Sequence, residues 1–216
     1  MKRIFDLLLI LLTSPLWVPL LIGVAIAVRL KIGSPILFKQ LRPGLKGKLF
    51  TMYKFRSMTD ARDGHGRLLP ESERLTSLGK FLRISSLDEI PQFINILKGD
   101  MSLVGPRPLG IAGMLLLKPE ELCRHHVRPG ITGWAQIHGR NQLDWSSKIG
   151  YDIWYAEHRS LGLDAKIIFK TIWLVLSQQG TDPSVTHPEV ALLRNVPKPE
   201  NIQELETVYS SEHRSA

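Results

Sequence analysis

The sequence predicts an α+β fold that is mostly helical: an N-terminal re-entrant membrane helix-break-helix, followed by a compact cytoplasmic domain with a short β-hairpin and interfacial amphipathic helices. Three observations carry this. From Leu7 to Val28 nothing is charged, and only Thr13, Ser14, Pro15, Pro19 and Gly23 interrupt the apolar run. Two short extended stretches flank the proline- and glycine-containing "RPGLKGK". Apolar residues recur at helical spacing through much of the rest. The 216 residues suit one domain with a modest core. The expected divisions are a membrane hairpin over 1–30, a main domain over 31–180 and a polar tail over 181–216.

The apolar run is about as long as a membrane-spanning helix, which needs roughly 20 residues. A cleaved signal peptide would begin at Lys2 and Arg3 and end at "AIA", but the run is too long and Arg29 and Lys31 follow the cut at once. A simple spanning helix leaves basic residues on both flanks, whereas the positive-inside rule favours one basic and one poor flank. A helix that enters, breaks at Ser14-Pro15 and returns satisfies both. Proline removes a backbone donor and breaks or kinks a helix, and Ser14 can bond the freed carbonyl where lipid offers no partner.

Charge is as localised as hydrophobicity. Arg29 to Arg56 holds eight basic residues and no acid, and the whole chain has 28 Lys+Arg against 20 Asp+Glu, so the remainder is neutral. A basic segment directly after an apolar one suits membrane lipid, where each such residue near an anionic surface contributes about 1 kcal/mol; a solvated basic loop is the plainer reading. No nucleic-acid recognition motif is present. The single cysteine, Cys123, excludes an internal disulfide and fits a reducing compartment.

Within the main domain, Ile36 to Phe38 and Leu49 to Lys54 read as the strands of the hairpin. "DARDGHGRLLPESE" is a polar loop. "RLTSLGKFLR" places Leu75, Leu78, Phe81 and Leu82 on one side of a short helix. "ISSLDEIPQFINILKGD" reads as a second helix, capped by Ser85 or Ser86 with Asp88 and Glu89 in its first turn and stopped by Gly99. "VGPRPLG" is a stiff loop, Glu120 to His126 a helix, and "VRPGITGWAQIHGRN" irregular. Trp145 to Arg159 is helical. "LDAKIIFKTIWLVL" is a helix that either fills a core or lies in the membrane interface with Lys166 and Lys170 snorkelling.

The adjacent carboxylates Asp88 and Glu89 could simply complement a helix dipole, worth a few tenths to about 1 kcal/mol. They could also act: neighbours on a helix point about 100° apart, so one can attack or hold a metal while the other supports it. Arginines suited to phosphate are Arg83, Arg107 between two prolines in "GPRP", Arg128, and Arg140 in "HGRN". "RPGITG" offers the backbone N–H groups of an anion nest. His125 and His126 lack zinc-site spacing and no GxxxxGK loop occurs, so carboxylates beside phosphates point to Mg²⁺.

Five stretches occur in one order: "KRIFDLLL…TSP", "FKQLRPGLKGKLFTMYKFRSM", "RISSLDEIPQFINILKGDMSLVGPRP", "HHVRPGITGWAQIHGRN" and "YDIWYAEHRSLGLDAKIIFKTI". From about Lys2 to about Ser177 the chain resembles the small monotopic phosphoglycosyl transferases of the bacterial sugar transferase family, in their minimal catalytic form. The resemblance implies a bacterial inner-membrane enzyme at the cytoplasmic face. It would pass a sugar phosphate from a UDP-sugar to polyprenyl phosphate and release UMP by a ping-pong route. It implies Asp88 as the nucleophile that takes the phosphosugar covalently, Glu89 as its partner and Mg²⁺ near Asp88. Lys54, Arg56, Arg83, Arg107, Arg128 and Arg140, with Gly130, Thr132, Gly133 and Gln136, are the expected substrate contacts. Alternatives from the residues alone are a membrane-associated hydrolase of nucleotide diphosphosugars and a non-catalytic membrane scaffold.

Overall fold

The computed structural model describes residues 1–139 and 143–177. The expected tail and Arg140 lie outside them.

Helix α1 (Lys2–Leu12) ends at Thr13 and α2 (Ser14–Lys31) begins at once, with Pro15 in its first turn. Pro15 has no N–H to give the Leu11 carbonyl. The Ser14 hydroxyl donates to it instead at 2.7 Å, while the Thr13 hydroxyl donates to Leu9 O at 2.6 Å and the Trp17 indole N–H to Ile10 O at 2.9 Å. The expected break is present, with its freed acceptor satisfied from within. Pro19 sits inside α2 without ending it. Among the described residues α2 is the one helix long and apolar enough to cross a membrane, and only Val24 and Val28 of its 18 residues are buried.

The apolar helices nevertheless pack against the rest of the chain. Ile10 joins Phe50, Met52, Ile96 and Met101 in one core. Val24 and Val28 join Phe55, Leu82 and Ile90 in a second, with Leu21 against it. Trp17 borders both, edge-to-face with Phe93 at 5.2 Å. Trp17, Leu21, Val24 and Val28 follow the four-three-four spacing of a single helix face. Side chains on either side of the expected boundary at residue 30 therefore share cores. Polar contacts tie the same element: Lys2 Nζ meets the buried Asp164 carboxylate at 2.6 Å, the Ser102 hydroxyl donates to buried Asp6 at 2.8 Å, and Arg3 donates to the carbonyls of Ile96 and Leu97.

The hairpin pairs β1 (Leu37–Pro43) with β2 (Leu49–Phe55), antiparallel, from Leu37↔Phe55 to Pro43↔Leu49. Strand β1 runs further than the expected Phe38. "KQLR" has little strand character of its own and is extended because β2 pairs with it. Beyond a loop come α3 (Glu71–Arg74), α4 (Ser77–Ile84), α5 (Gln92–Lys98), β3 (Ser102–Val104), α6 (Ile111–Met114), a 3-10 segment over Pro119–His126, β4 (Gly130–Thr132), α7 (Trp134–Ile137), α8 (Trp145–His158) and α9 (Leu161–Leu176). Strands β3 and β4 form a second, parallel pair, Ser102↔Gly130 and Val104↔Thr132, that sequence reading left as loop and irregular chain. In α9, Asp164 and Ile167 are buried while Phe169, Ile172, Trp173 and Leu176 are exposed. The helix is amphipathic in its burial although it reads as apolar nearly all round.

The helix expected over "ISSLDEIPQFINILKGD" is two pieces. Ser86 takes a left-handed conformation (φ 58°), a 3-10 turn covers Leu87–Glu89, and α5 begins only after Pro91. Proline disfavours helix in the residue before it and lacks the N–H a continuous helix would need. The carboxylates thus lie ahead of α5 and not in its first turn, and Ser86 makes no side-chain cap.

Candidate active site

The 3-10 turn is held from two sides. On one, Asn95 is fully buried in α5; its Oδ1 accepts from Tyr53 N–H at 3.1 Å and its Nδ2 donates to Thr51 O at 2.7 Å, which fixes α5 to the backbone of β2. Side chains alternate along a strand, so Phe50 and Met52 point into the core and Lys54 follows on the same face. On the other side, α4 packs so closely on Ser57 that a Cβ at Gly79 would sit 1.8 Å from Ser57 O. Thr76 caps α4 through Gly79 N–H at 2.9 Å, and Arg83 Nε donates to the Ser57 hydroxyl at 3.0 Å, which places Arg83 beside the turn.

The two carboxylates differ sharply. Lys54 Nζ lies 2.7 Å from Glu89 Oε1, and Arg107 reaches Oε1 with Nη2 at 2.5 Å and Oε2 with Nη1 at 3.4 Å. Burial alone would raise the Glu89 carboxyl, but Arg107 and Lys54 outweigh it and hold it well below the usual carboxylate range. The Asp88 carboxylate is 9% exposed and accepts no hydrogen bond from the described residues. Burial, then the Glu89 charge, pushes it up to about 6 against the pull of Lys54, Arg107 and Arg83. One carboxylate is clamped as a permanent anion. The other keeps both oxygens free and is destabilised as an anion, which favours bonding to a cation or an electrophile.

The expected contacts divide. Lys54, Arg83 and Arg107 gather around the pair. Arg56 is engaged elsewhere, by Met58 O at 2.9 Å, Ser34 O at 2.7 Å and Asp60. Arg128 Nε donates to Gly99 O at 2.8 Å, at the end of α5. The nest expected of "RPGITG" gives way to strand β4, whose Gly130 N–H is donated to Pro106 O at 3.0 Å. Gly130 and Gly133 instead allow close approach: a Cβ at either would fall 2.1–2.2 Å from the Gly105 backbone. The Thr132 hydroxyl is 2.6 Å from that of Thr171. Gln136 has a buried amide with neither end hydrogen-bonded.

Sequence reading missed a wider cationic group. Burial, reinforced by Arg107, lowers Arg42 to about 10 and Lys148 to about 8. Arg42 donates to Pro108 O at 3.2 Å and Gln40 at 2.7 Å. Behind Arg107 lies a fully buried ion pair, Arg124–Asp152 at 2.6 Å. Lys148 and Asp152 stand four apart on α8, a spacing that marks a shared helix face.

A metal fits Asp88. Its free oxygens are hard donors, and Mg²⁺ takes one or two protein carboxylates with the rest from water and substrate phosphate. Among the described residues no group of three or more His, Cys, Asp or Glu is gathered as a metal site.

A free carboxylate beside a clamped one, among cations and next to an apolar helix, is an arrangement chemically suited to phosphate groups. The bacterial sugar transferase family model matches residues 1–178, and the chain belongs to that family. It is 52% identical over 184 residues to the "Uncharacterized sugar transferase EpsL" of Bacillus subtilis, covering 83% of this chain and 89% of that protein. It is 41% identical over 187 residues to the UDP-N-acetylgalactosamine-undecaprenyl-phosphate N-acetylgalactosaminephosphotransferase of Aeromonas hydrophila, 83% of this chain but 44% of that protein. It is 40% identical over 183 residues to the UDP-glucose:undecaprenyl-phosphate glucose-1-phosphate transferase of Escherichia coli, 80% of this chain and 39% of that protein. The chain thus spans most of EpsL and less than half of the two transferases with named substrates.

Proposed function

We propose that the chain is a phosphoglycosyl transferase that moves a sugar 1-phosphate from a UDP-sugar to polyprenyl phosphate and releases UMP, the first membrane step of a bacterial glycoconjugate pathway. The observation that carries the mechanism is the Asp88 carboxylate, buried among cations with both oxygens uncommitted. An Asp88 oxygen attacks the phosphorus that bears the sugar, a P–O bond to Asp88 forms, and the bond to the UMP oxygen breaks. UMP leaves with the electron pair. An oxygen of polyprenyl phosphate then attacks the same phosphorus, and Asp88 is freed as polyprenyl diphosphate sugar departs. Glu89 stays an anion throughout and holds Lys54 and Arg107 in place, and these with Arg83 offset the charge gathering on phosphate oxygens. Mg²⁺, held by Asp88 and substrate oxygens, would polarise the phosphoryl group.

The same reading places α1 and α2 in the membrane as a re-entrant hairpin, with both ends on the cytoplasmic face. The outer face of α9, Phe169, Ile172, Trp173 and Leu176, lies in the interface with Lys166 and Lys170 beside it. This monotopic arrangement would let a lipid phosphate reach Asp88 at headgroup level. The test is intact-mass measurement of purified protein mixed with UDP-sugars and Mg²⁺. A phosphosugar adduct on Asp88 that polyprenyl phosphate removes is expected; turnover with no adduct at any sugar, or full turnover by Asp88→Asn, refutes the covalent route. UMP release sustained without polyprenyl phosphate would indicate hydrolysis instead.

A further inference from the structure

We infer that Arg124 and Asp152 are positioning residues, which fix the backbone from which Arg107 reaches Glu89. The inference rests on the reading of the Asp88–Glu89 site as a transfer centre. It extends the site to a buried pair that contacts neither the Asp88 nor the Glu89 carboxylate.

Arg107 lies in Gly105-Pro106-Arg107-Pro108. Each proline fixes its own φ, and Pro108 biases Arg107 toward extended backbone. The freedom that remains is rotation of the peptide planes between them. Three contacts remove it. Gly105 N–H donates to Thr132 O at 2.9 Å, and Pro106 O accepts Gly130 N–H at 3.0 Å. Arg107 O accepts Arg124 Nη2 at 2.8 Å. The same Nη2 donates to Asp152 Oδ2 at 2.6 Å, and Arg124 Nη1 is 3.1 Å from His125 Nε2. Arg124 and Asp152 are each 1% exposed, so the pair is screened from water.

An arginine buried only for stability is poorly chosen, because a buried ion pair contributes little over an apolar pair of the same volume. Here the guanidinium does what an apolar side chain cannot: it turns one carbonyl. That carbonyl belongs to the residue whose own guanidinium forks onto Glu89 at 2.5 and 3.4 Å. A flipped Arg107–Pro108 peptide would move the fork off Glu89 and loosen one of the two cations that hold it.

The experiment replaces the pair with apolar side chains, Arg124→Met with Asp152→Leu, in the full-length protein in detergent. Melting temperature, UMP release with a panel of UDP-sugars plus polyprenyl phosphate and Mg²⁺, and hydrogen exchange at the Gly105 and Gly130 amides, which donate to Thr132 O and Pro106 O on either side of Arg107, are measured. Asp152→Asn, nearly isosteric, carries the same comparisons should the paired variant not fold. The expected result is melting near wild type, kcat/KM lower by about 10- to 100-fold, and faster exchange concentrated at Gly105 and Gly130. In an Arg107→Lys background the paired change should cost no more than about twofold further, since residues acting as one unit are non-additive. Wild-type kcat/KM in the paired variant, or losses that multiply with Arg107→Lys, would overturn the inference. Absence of UMP release by wild type with every sugar would refute the transfer reading alone. Exchange would then still decide the positioning role, and unchanged Gly105 and Gly130 amides would count against it.

Discussion

Replacing Asp88, the proposed nucleophile, should make the protein more stable while it destroys turnover. Burial and the adjacent Glu89 raise Asp88 from 3.8 to about 6. At 1.36 kcal/mol per unit this corresponds to about 3 kcal/mol by which the ionised side chain opposes folding. Asp88→Asn keeps the shape and removes the charge. The gain should be full above pH 6, where wild-type Asp88 is ionised in both folded and unfolded chains. It should shrink as pH falls from 6 toward 4, where the folded form takes up its proton first, and vanish below the unfolded value. In a chain of this length 1 kcal/mol moves the melting temperature by about 2–4 °C, so a rise of several degrees is expected at pH 7.5 in Mg²⁺-free buffer. Differential scanning fluorimetry of both proteins in detergent from pH 4 to 8 reads it directly. A variant that melts at or below wild type at pH 7.5, or a gain that persists unchanged at pH 4, would refute the assignment of Asp88 as the strained member of the pair.

Four further outcomes are expected. Lys54→Ala removes one of the two cations on half-buried Glu89 and should cost about 1–3 kcal/mol in urea unfolding, together with a marked loss of UMP release. Gly79→Ala forces a Cβ within 1.8 Å of Ser57 O and should displace α4 and Arg83, seen as a loss of at least about 4 kcal/mol or of folded protein. Thr76→Ala loses the cap of α4 and should lower stability by about 1 kcal/mol with catalysis nearly intact. Labels attached ahead of Met1 and behind Ala216 should both be accessible only from the cytoplasmic side; opposite sides would overturn the hairpin.

The parts of the fold legible in the sequence are those set by local chemistry. Pro15 and Ser14 announced the break, Gly99 ended its helix, and Leu78 and Leu82 pack on the inner face of α4, whereas Phe81, placed on the same side by its spacing, is exposed. Two failures have tertiary causes. Strands β3 and β4 are three residues each and exist only because they lie side by side, with glycines that permit the approach. The turn at Asp88 looked like a helix start because acids favour that position. Pro91, the stronger signal, was read through, and the left-handed Ser86 has no marker of its own. Within the site, Lys54, Arg83 and Arg107 were read as phosphate contacts and stand around the carboxylates. Arg56 and Arg128 carry the same charge but are spent on carbonyls, a distinction no composition argument can make. The Arg124–Asp152 pair was missed because partners 28 residues apart on different elements leave no periodic trace.

The sharing of side chains between the apolar helices and the rest of the chain bears on how this enzyme can be handled. A shortened version beginning after Lys31 would lack Ile10, Trp17, Val24 and Val28, and with them one wall of each of two interior clusters. It would also strip Asp164 of its lysine, leaving the Tyr155 hydroxyl on it, and Ser102 of the Asp6 carboxylate. Solubilising this protein by trimming its greasy leading segment would therefore hollow out the very body one hoped to keep, and detergent or nanodiscs around the intact polypeptide are the sounder route.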